Sequence, residues 1–344
     1  MIYVVLLIML GCLSLFRAKV KQKYVVDMTI LVFMTIIYGI RHGVGKDYIS
    51  YELIYRNEYG WYKYEFLYDL LSRIFKYFGS PFWVFNLFLG LIIFSLLYEI
   101  SRNLRIGYDK IIFFFILSGQ LFVAFNLVRQ TIAALIIMYS LKYIYEKKII
   151  KYILGVVIAS MFHTTALIFL LFYFIKNVNL NFKRVLILTI IGISLYYINI
   201  MSLFDEYLIL SKYGNLIGSS FDVNAKPGIG TLFYIIIALL LSTKFAKQLS
   251  IYFPYAAAYV LCNSLFLFTL SSFIVNRLTM YGQLAVVPAI AYFLTKNRRQ
   301  DGKTDIINVF IILFYVFLFL LSIFNIYTGD ENNLMYQTIF QKTN

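Results

Sequence analysis

Apolar runs recur along nearly the whole chain, each close to the ~20 residues a helix needs to cross about 30 Å of hydrocarbon. They lie near 2–16, 24–40, 82–98, 111–126, 130–145, 184–201, 229–243, 251–272, 278–295 and 305–327. In lipid every backbone N–H and C=O must find a partner within the protein, so only helices and closed barrels can span. The runs do not alternate with a period of two, which excludes a barrel. The chain therefore reads as an all-α polytopic membrane protein with about ten spanning helices. Composition agrees, because 62% of the residues are hydrophobic and only 14% are charged. No soluble domain boundary, low-complexity stretch or internal repeat interrupts the pattern. The expectation is a single integral membrane domain over 1–344.

The first run, Ile2 to Phe16, has no basic residue before it and no small-residue cleavage site after it. It reads as a retained helix rather than a signal peptide. Cys12 and Cys262 both fall inside apolar runs, so neither a disulfide nor a cysteine-based metal site follows. The net charge of +15 would suggest nucleic acid in a soluble protein. Here it suits cytoplasmic loops facing anionic lipid, and no nucleic-acid partner is expected.

Charge sets the topology. Arg17, Lys19, Lys21 and Lys23 crowd the first loop, which places it in the cytoplasm. The N-terminus and the loop from Arg41 to Pro81 are then extracytoplasmic. The run at 152–175 is broken near its middle by Met161-Phe162-His163-Thr164-Thr165. Treated as one crossing, it leaves Lys and Arg evenly divided between the two sides. Treated as a hairpin of two short helices that returns to the inside, it restores an excess of basic residues there. The hairpin is the preferred reading. It puts His163 at the tip, toward the outer face, and puts Arg129, the 202–228 loop and Arg277 outside. Both termini are then extracytoplasmic.

The 41–81 loop is patterned. Asp47, Tyr51, Tyr55 and Tyr59 recur every four residues, which stacks them on one helix face. Phe66, Leu67, Leu70, Leu71, Ile74, Phe75 and Phe78 form one side of a second helix, and Glu65, Asp69, Arg73 and Lys76 form the other. Such a helix lies on the outer membrane surface.

The outer side thus gathers Arg41, Asp47, Glu65, Arg129, Gln130, His163, Arg277 and Tyr281. Several have plain readings. Arg41 and Arg277 could be interfacial anchors, Asp47 and Glu65 solvated loop acids, and His163 a buried histidine bonded to backbone. Arg129 is less easily dismissed, because its charge opposes the dipole at a helix start. Ionisable groups at membrane depth usually mark function. Arginines at the mouth of an apolar groove suit a lipid-linked phosphate or diphosphate, which guanidinium binds bidentately. Carboxylates and an imidazole suit deprotonation of a hydroxyl, with Asp47 and His163 both open as the base. Tyrosines such as Tyr51 suit stacking on sugar faces. No Walker A loop and no Gly-x-Ser-x-Gly elbow is present. His42 and His163, without cysteine nearby, do not suggest zinc. Neither a metal nor a cofactor is expected, and any enzyme here would draw on an activated lipid-linked donor.

Arg41-His42-Gly43-Val44-Gly45-Lys46-Asp47-Tyr48, with Tyr51, resembles the first signature of the EpsG family of polysaccharide-assembly proteins. Tyr64-Glu65-Phe66-Leu67-Tyr68 resembles the second. Asn126-Leu127-Val128-Arg129-Gln130-Thr131-Ile132-Ala133 is similar to the family's most specific motif, and Phe162-His163-Thr164-Thr165 follows at the expected interval. Asn276-Arg277 with Tyr281 is similar to the late arginine motif. Phe66 stands where many relatives carry proline, and Lys46 where many carry a small residue or threonine. These departures weaken the transfer of Glu65 and of the geometry around Asp47.

The resemblance implies a Wzy-type repeat-unit polymerase in a bacterial cytoplasmic (inner) membrane, with a GT-C-like helical architecture. Such a metal-independent glycosyltransferase would join undecaprenyl-diphosphate-linked oligosaccharides on the outer face into capsule, exopolysaccharide or O-antigen. A flippase and a chain-length regulator of the same pathway would be its partners, beside the bilayer. Asp47, His163 and Glu65 would then be catalytic, and Arg41, Tyr51, Arg129, Gln130, Arg277 and Tyr281 would bind substrate. A membrane acyltransferase using His163 as base and a lipid-linked oligosaccharide flippase are the alternatives. The charge pattern makes one direct prediction: a reporter fused after Asn344 is active only outside the cytoplasm, and cytoplasmic activity would overturn the hairpin topology.

Overall fold

The computed structural model describes residues 2–56, 64–177, 180–204, 229–245, 253–271, 277–296, 306–329 and 332–341. Tyr59 and residues 205–228 of the second long loop lie outside the described residues. Every regular element among the described residues is helical. In order, these are α1 (Ile2–Lys19), α2 (Lys23–Ile40), α3 (Tyr48–Tyr55), α4 (Phe66–Tyr77), α5 (Phe82–Leu104), α6 (Tyr108–Leu117), α7 (Gln120–Asn126), α8 (Val128–Ser140), α9 (Lys142–Tyr145) and α10 (Ile149–Ser160). A 3-10 helix, Thr164–Asn177, follows, then α11 (Phe182–Tyr197), α12 (Ile229–Phe245), α13 (Phe253–Asn263), a 3-10 turn Leu265–Ser271, α14 (Thr279–Lys296) and α15 (Ile306–Thr328).

Among the described residues four helices, α1, α2, α5 and α15, are long and apolar enough to cross a membrane singly, and α6 with α7 makes a fifth if the pair is one span. The chain is thus built as a multi-pass membrane protein. Three apolar runs are more broken than their sequence suggests. The 111–126 run bends by 73° between α6 and α7, at Ser118–Gly119, where Gly119 takes φ 75°. The 130–145 run divides at Leu141, and the 251–272 run changes from α to 3-10 after Asn263. Broken helices at membrane depth belong where protein or a cavity can satisfy the freed backbone.

The helices group into two compact units. The first holds Met1–Ser140, Ile153–Leu167 and Ile290–Asn344; the second holds Leu141–Tyr152 and Ile168–Ala289. In the first, α2 packs along α5. A Cβ added at Gly90 would lie 2.9 Å from Tyr38 Cδ1, and one at Gly39 would overlap Leu87. Lipid tails are as apolar as leucine, so helices associate there through close packing at small residues. One end of the unit is tied by charge. Arg17 grips Asp27 with Nε at 2.6 Å and Nη2 at 3.1 Å, and Asp109 lies 3.5 Å from the same Nε. At the other end the segment 332–341 bonds to the start of α1 and the end of α2. Tyr3 Oη donates to Leu334 O at 2.5 Å, and Tyr336 Oη donates to Ile37 O at 2.6 Å. In the second unit, α11 packs against the Leu265–Ser271 turn and α12 against α13.

The hairpin expected at 152–175 forms. Tyr152 Oη, before the turn, donates to Phe169 O at 2.6 Å, and its ring centroid lies 5.7 Å from that of Tyr173. The chain has therefore doubled back. The second arm departs from expectation in being 3-10 throughout, a conformation that seldom runs beyond one turn.

The amphipathic helix expected near Glu65–Phe78 is α4. Its apolar and aromatic side chains divide between two surroundings. Tyr68 is buried against Phe85, and Phe75 packs on Phe85 and Phe88 of α5, at centroid distances of 5.4, 5.3 and 5.0 Å. Phe66, Leu70, Ile74, Tyr77 and Phe78 remain exposed. So large an exposed apolar stripe suits the acyl boundary. A spin label on a Phe78→Cys variant should collide more with lipid-dissolved oxygen than with a water-soluble nickel chelate. The opposite ranking would remove α4 from the membrane surface.

Candidate functional site

The site grows from three local breaks in the helical pattern. The first is at the front of α4. Glu65 occupies the N-cap position in an extended conformation, but its side chain does not cap the helix. One of the amide groups that a helix start leaves without an internal partner, that of Leu67, instead donates to Met161 O at 2.9 Å. That bond ties the front of α4 to the tip of the hairpin. The second break is the α7–α8 junction. Leu127 leaves the helical region at φ −108°, ψ 57°, and α8 restarts with Arg129 in its first turn. The third is the hairpin turn, which presents His163.

The three side chains meet on one carboxylate. Arg129 Nη1 forms an ion pair with Glu65 Oε2. His163 Nδ1 lies 3.1 Å from Glu65 Oε1. Each carboxylate oxygen thus serves one partner. Glu65 and His163 side chains are only 8% and 7% exposed, whereas Arg129 keeps 17%. Glu65 offsets the conflict between the Arg129 charge and the positive end of α8. Three tyrosines wall the cation. The Tyr64 ring lies 4.1 Å from Arg129 Cζ, Tyr51 Oη is 3.4 Å from Nε, and Tyr68 packs against both rings at 5.0 and 5.8 Å.

Protonation follows from this arrangement. Burial alone would raise the Glu65 pKa; the His163 hydrogen bond and the Arg129 charge outweigh it and bring it from 4.5 down to about 2. An ionised carboxylate can only accept, so the neutral imidazole carries its proton on Nδ1. Nε2 is then the basic nitrogen, and it is buried without a hydrogen-bond partner among the described residues. Such a buried polar atom is costly unless something is received there.

The other expected residues are distributed as follows. Arg41 is fully buried, not snorkelling. Its guanidinium lies 3.8 Å from the Tyr38 ring centroid and 5.0 Å from that of Phe125, and it donates to Tyr38 O. Asp47 stands at the N-terminal end of α3, whose Tyr48, Tyr51 and Tyr55 are buried. Its charge acts on the Tyr51 hydroxyl. Gln130 is buried in α8. Arg277 and Tyr281 belong to the second unit, where Tyr281 is buried with its ring 5.0 Å from Phe169. Tyr64 and Tyr68 were missed as contributors. Their signal was an aromatic immediately before the acid and another in the first turn of the helix that follows it. Among the described residues no three His, Cys, Asp or Glu side chains gather as a metal site requires.

The depressed Glu65 pKa sets a sign. A carboxylate held below its unfolded value contributes stability that is fully present above about pH 4.5 and is lost as the pH falls toward about 2. In detergent, the melting temperature of wild type minus that of Glu65→Gln should be positive and flat above pH 5. It should shrink steadily below pH 4. A pH-independent difference would place the carboxylate outside the ion pair.

A family comparison matches residues 24–338 to the EpsG family. Searches of curated proteins and of solved structures return no match. The matched span covers nearly the whole chain and includes every side chain of the Glu65 cluster. The chain belongs to the EpsG family, whose members resemble Wzy-type polymerases.

Proposed function

We propose that this protein polymerises polyprenyl-diphosphate-linked oligosaccharide repeat units on the outer face of a bacterial cytoplasmic membrane, without a metal or cofactor. The observation that carries the reading is the single Glu65 carboxylate shared by Arg129 and His163. It supports a base and a cation held side by side, as transfer of a glycan from a diphosphate to a hydroxyl requires. In the reaction the acceptor hydroxyl loses its proton to His163 Nε2, and its oxygen bonds to the anomeric carbon of the growing glycan. The bond from that carbon to the diphosphate oxygen breaks, and the electron pair leaves with the lipid diphosphate. A diphosphate is a good leaving group, so cations that hold it matter more than an acid that protonates it.

Glu65 acts in this scheme through its neighbours. It fixes the imidazole tautomer and stabilises the imidazolium that forms. Arg129 directs Nη1 to Glu65 and Nε to Tyr51 and keeps 17% of its side chain exposed. Its planar guanidinium suits a phosphate oxygen. Arg41, Gln130 and Tyr51 are the further substrate-binding candidates in the same unit as Arg129; Arg277 and Tyr281 remain candidates on the sequence resemblance alone. Asp47 is left as a neighbour of Tyr51, because the geometry favours His163 as the base.

Purified protein given a lipid-linked repeat unit should yield long glycans. Acylated sugar would point to an acyltransferase, and an unchanged substrate moved across vesicles would point to a flippase. Arg129→Lys keeps the charge but loses the planar fork, so polymerisation should fall at least about tenfold at an unchanged protein level. Equal loss of activity and of folded protein would make Arg129 structural.

A further inference from the structure

We propose that residues 332–341 are a positioning clasp for this site, acting through the loop that leads into α3. The loop is held from its backbone. Arg41 and Thr338 form an isolated antiparallel bridge. His42 N donates to Gln337 O at 2.9 Å, and Gly45 N donates to Asn333 O at 2.8 Å. The segment is itself anchored by the buried Leu334, whose carbonyl takes the Tyr3 hydroxyl, and by Tyr336 on Ile37 O. The opposite edge of the loop meets the α7–α8 junction, where Lys46 N donates to Asn126 Oδ1 at 2.6 Å.

The fit there leaves no slack. Gly45 adopts φ 109°, and a Cβ at that position would lie 2.7 Å from Phe125 O. Gly45 O then receives Tyr48 N at 3.1 Å, which starts α3. One turn along α3, Tyr51 reaches Arg129, and Arg129 reaches Glu65 and through it His163. A continuous set of bonds therefore runs from Asn333 to the candidate base. Nothing in the 332–341 segment touches the Glu65 cluster itself through any of these bonds. Its contribution is the geometry of the loop, and its grip on the loop is made by main-chain groups.

The clasp is independent of the chemistry, but its effect on turnover rests on the polymerase reading, so the test has two arms. In the full-length chain, Leu334→Asp with Tyr336→Ala should release the segment. Amide exchange at 41–46 and in α3 should rise by about tenfold or more, with helical content and membrane insertion unchanged. Polymerisation turnover should fall by about tenfold, and Leu334→Met should behave as wild type. A complementary variant, His42→Cys with Gln337→Cys in a chain carrying Cys12→Ser and Cys262→Ala, should keep full turnover when the disulfide forms. Release of the segment with unchanged exchange in α3 would overturn the clasp. So would faster exchange with full turnover, or a locked form that is inactive. If wild type makes no glycan at all, the polymerase reading fails, and the exchange arm still decides the clasp.

Discussion

The Glu65 carboxylate is the interaction on which the rest of the site depends. It takes a guanidinium on one oxygen and an imidazole on the other, and both partners stand at places where a helix has been interrupted. An unpaired charge at this burial would cost several kcal/mol, roughly 3–5 where one partner of a buried pair is removed. Each of the three groups is tolerable only because the other two are present. The pairing also explains why Arg129 can open a helix. A cation at the positive end of a dipole is unfavourable, and an acid delivered from a distant segment reverses the balance.

The delivery of that acid is a backbone matter. Leu67 N on Met161 O fastens the start of α4 to the hairpin tip, so Glu65 and His163 are placed by the same junction. Tyr68 and Phe75 then seat α4 on α5, and the exposed residues of its stripe are left for lipid. The catalytic reading therefore draws on three distinct forces. Packing at small residues brings the spanning helices together, aromatic contacts seat the surface helix, and charge pairing fixes the final few ångströms.

Much of this was legible in the sequence, for physical reasons. Apolar run length is dictated by bilayer thickness, so the positions of the helices follow closely. The break around His163 marked where the 152–175 run could turn, and the excess of basic residues that a hairpin restores on the inside favoured a turn there. The four-residue spacing of Tyr51 and Tyr55 and the stripe of α4 reported their faces directly. What the sequence withheld was pairing between distant segments. Glu65 looked the weaker acid because Phe66 follows it, yet it is the hub. Asp47 stood open beside His163 as the base, and in the structure its charge acts on the Tyr51 hydroxyl. Arg41 had the hallmarks of an interfacial anchor, but Tyr38 and Phe125 enclose it. The bend at Ser118–Gly119 and the 3-10 arm of the hairpin carry no strong compositional mark, since an apolar run reads alike whether straight or broken. The grip of 332–341 on the Arg41–Lys46 loop is made by main-chain atoms, which side-chain patterns do not encode.

The contact between Tyr3 and Leu334 has a consequence for counting. Two residues joined by a hydrogen bond of 2.5 Å must lie on the same side of a membrane. The chain between them therefore crosses an even number of times, whatever status is given to each bent or shortened helix. A recount that merges α6 with α7 or demotes a single short helix has to be matched by a second change elsewhere. That parity rule constrains every transmembrane assignment for this protein, and it needs no knowledge of which side is the cytoplasm.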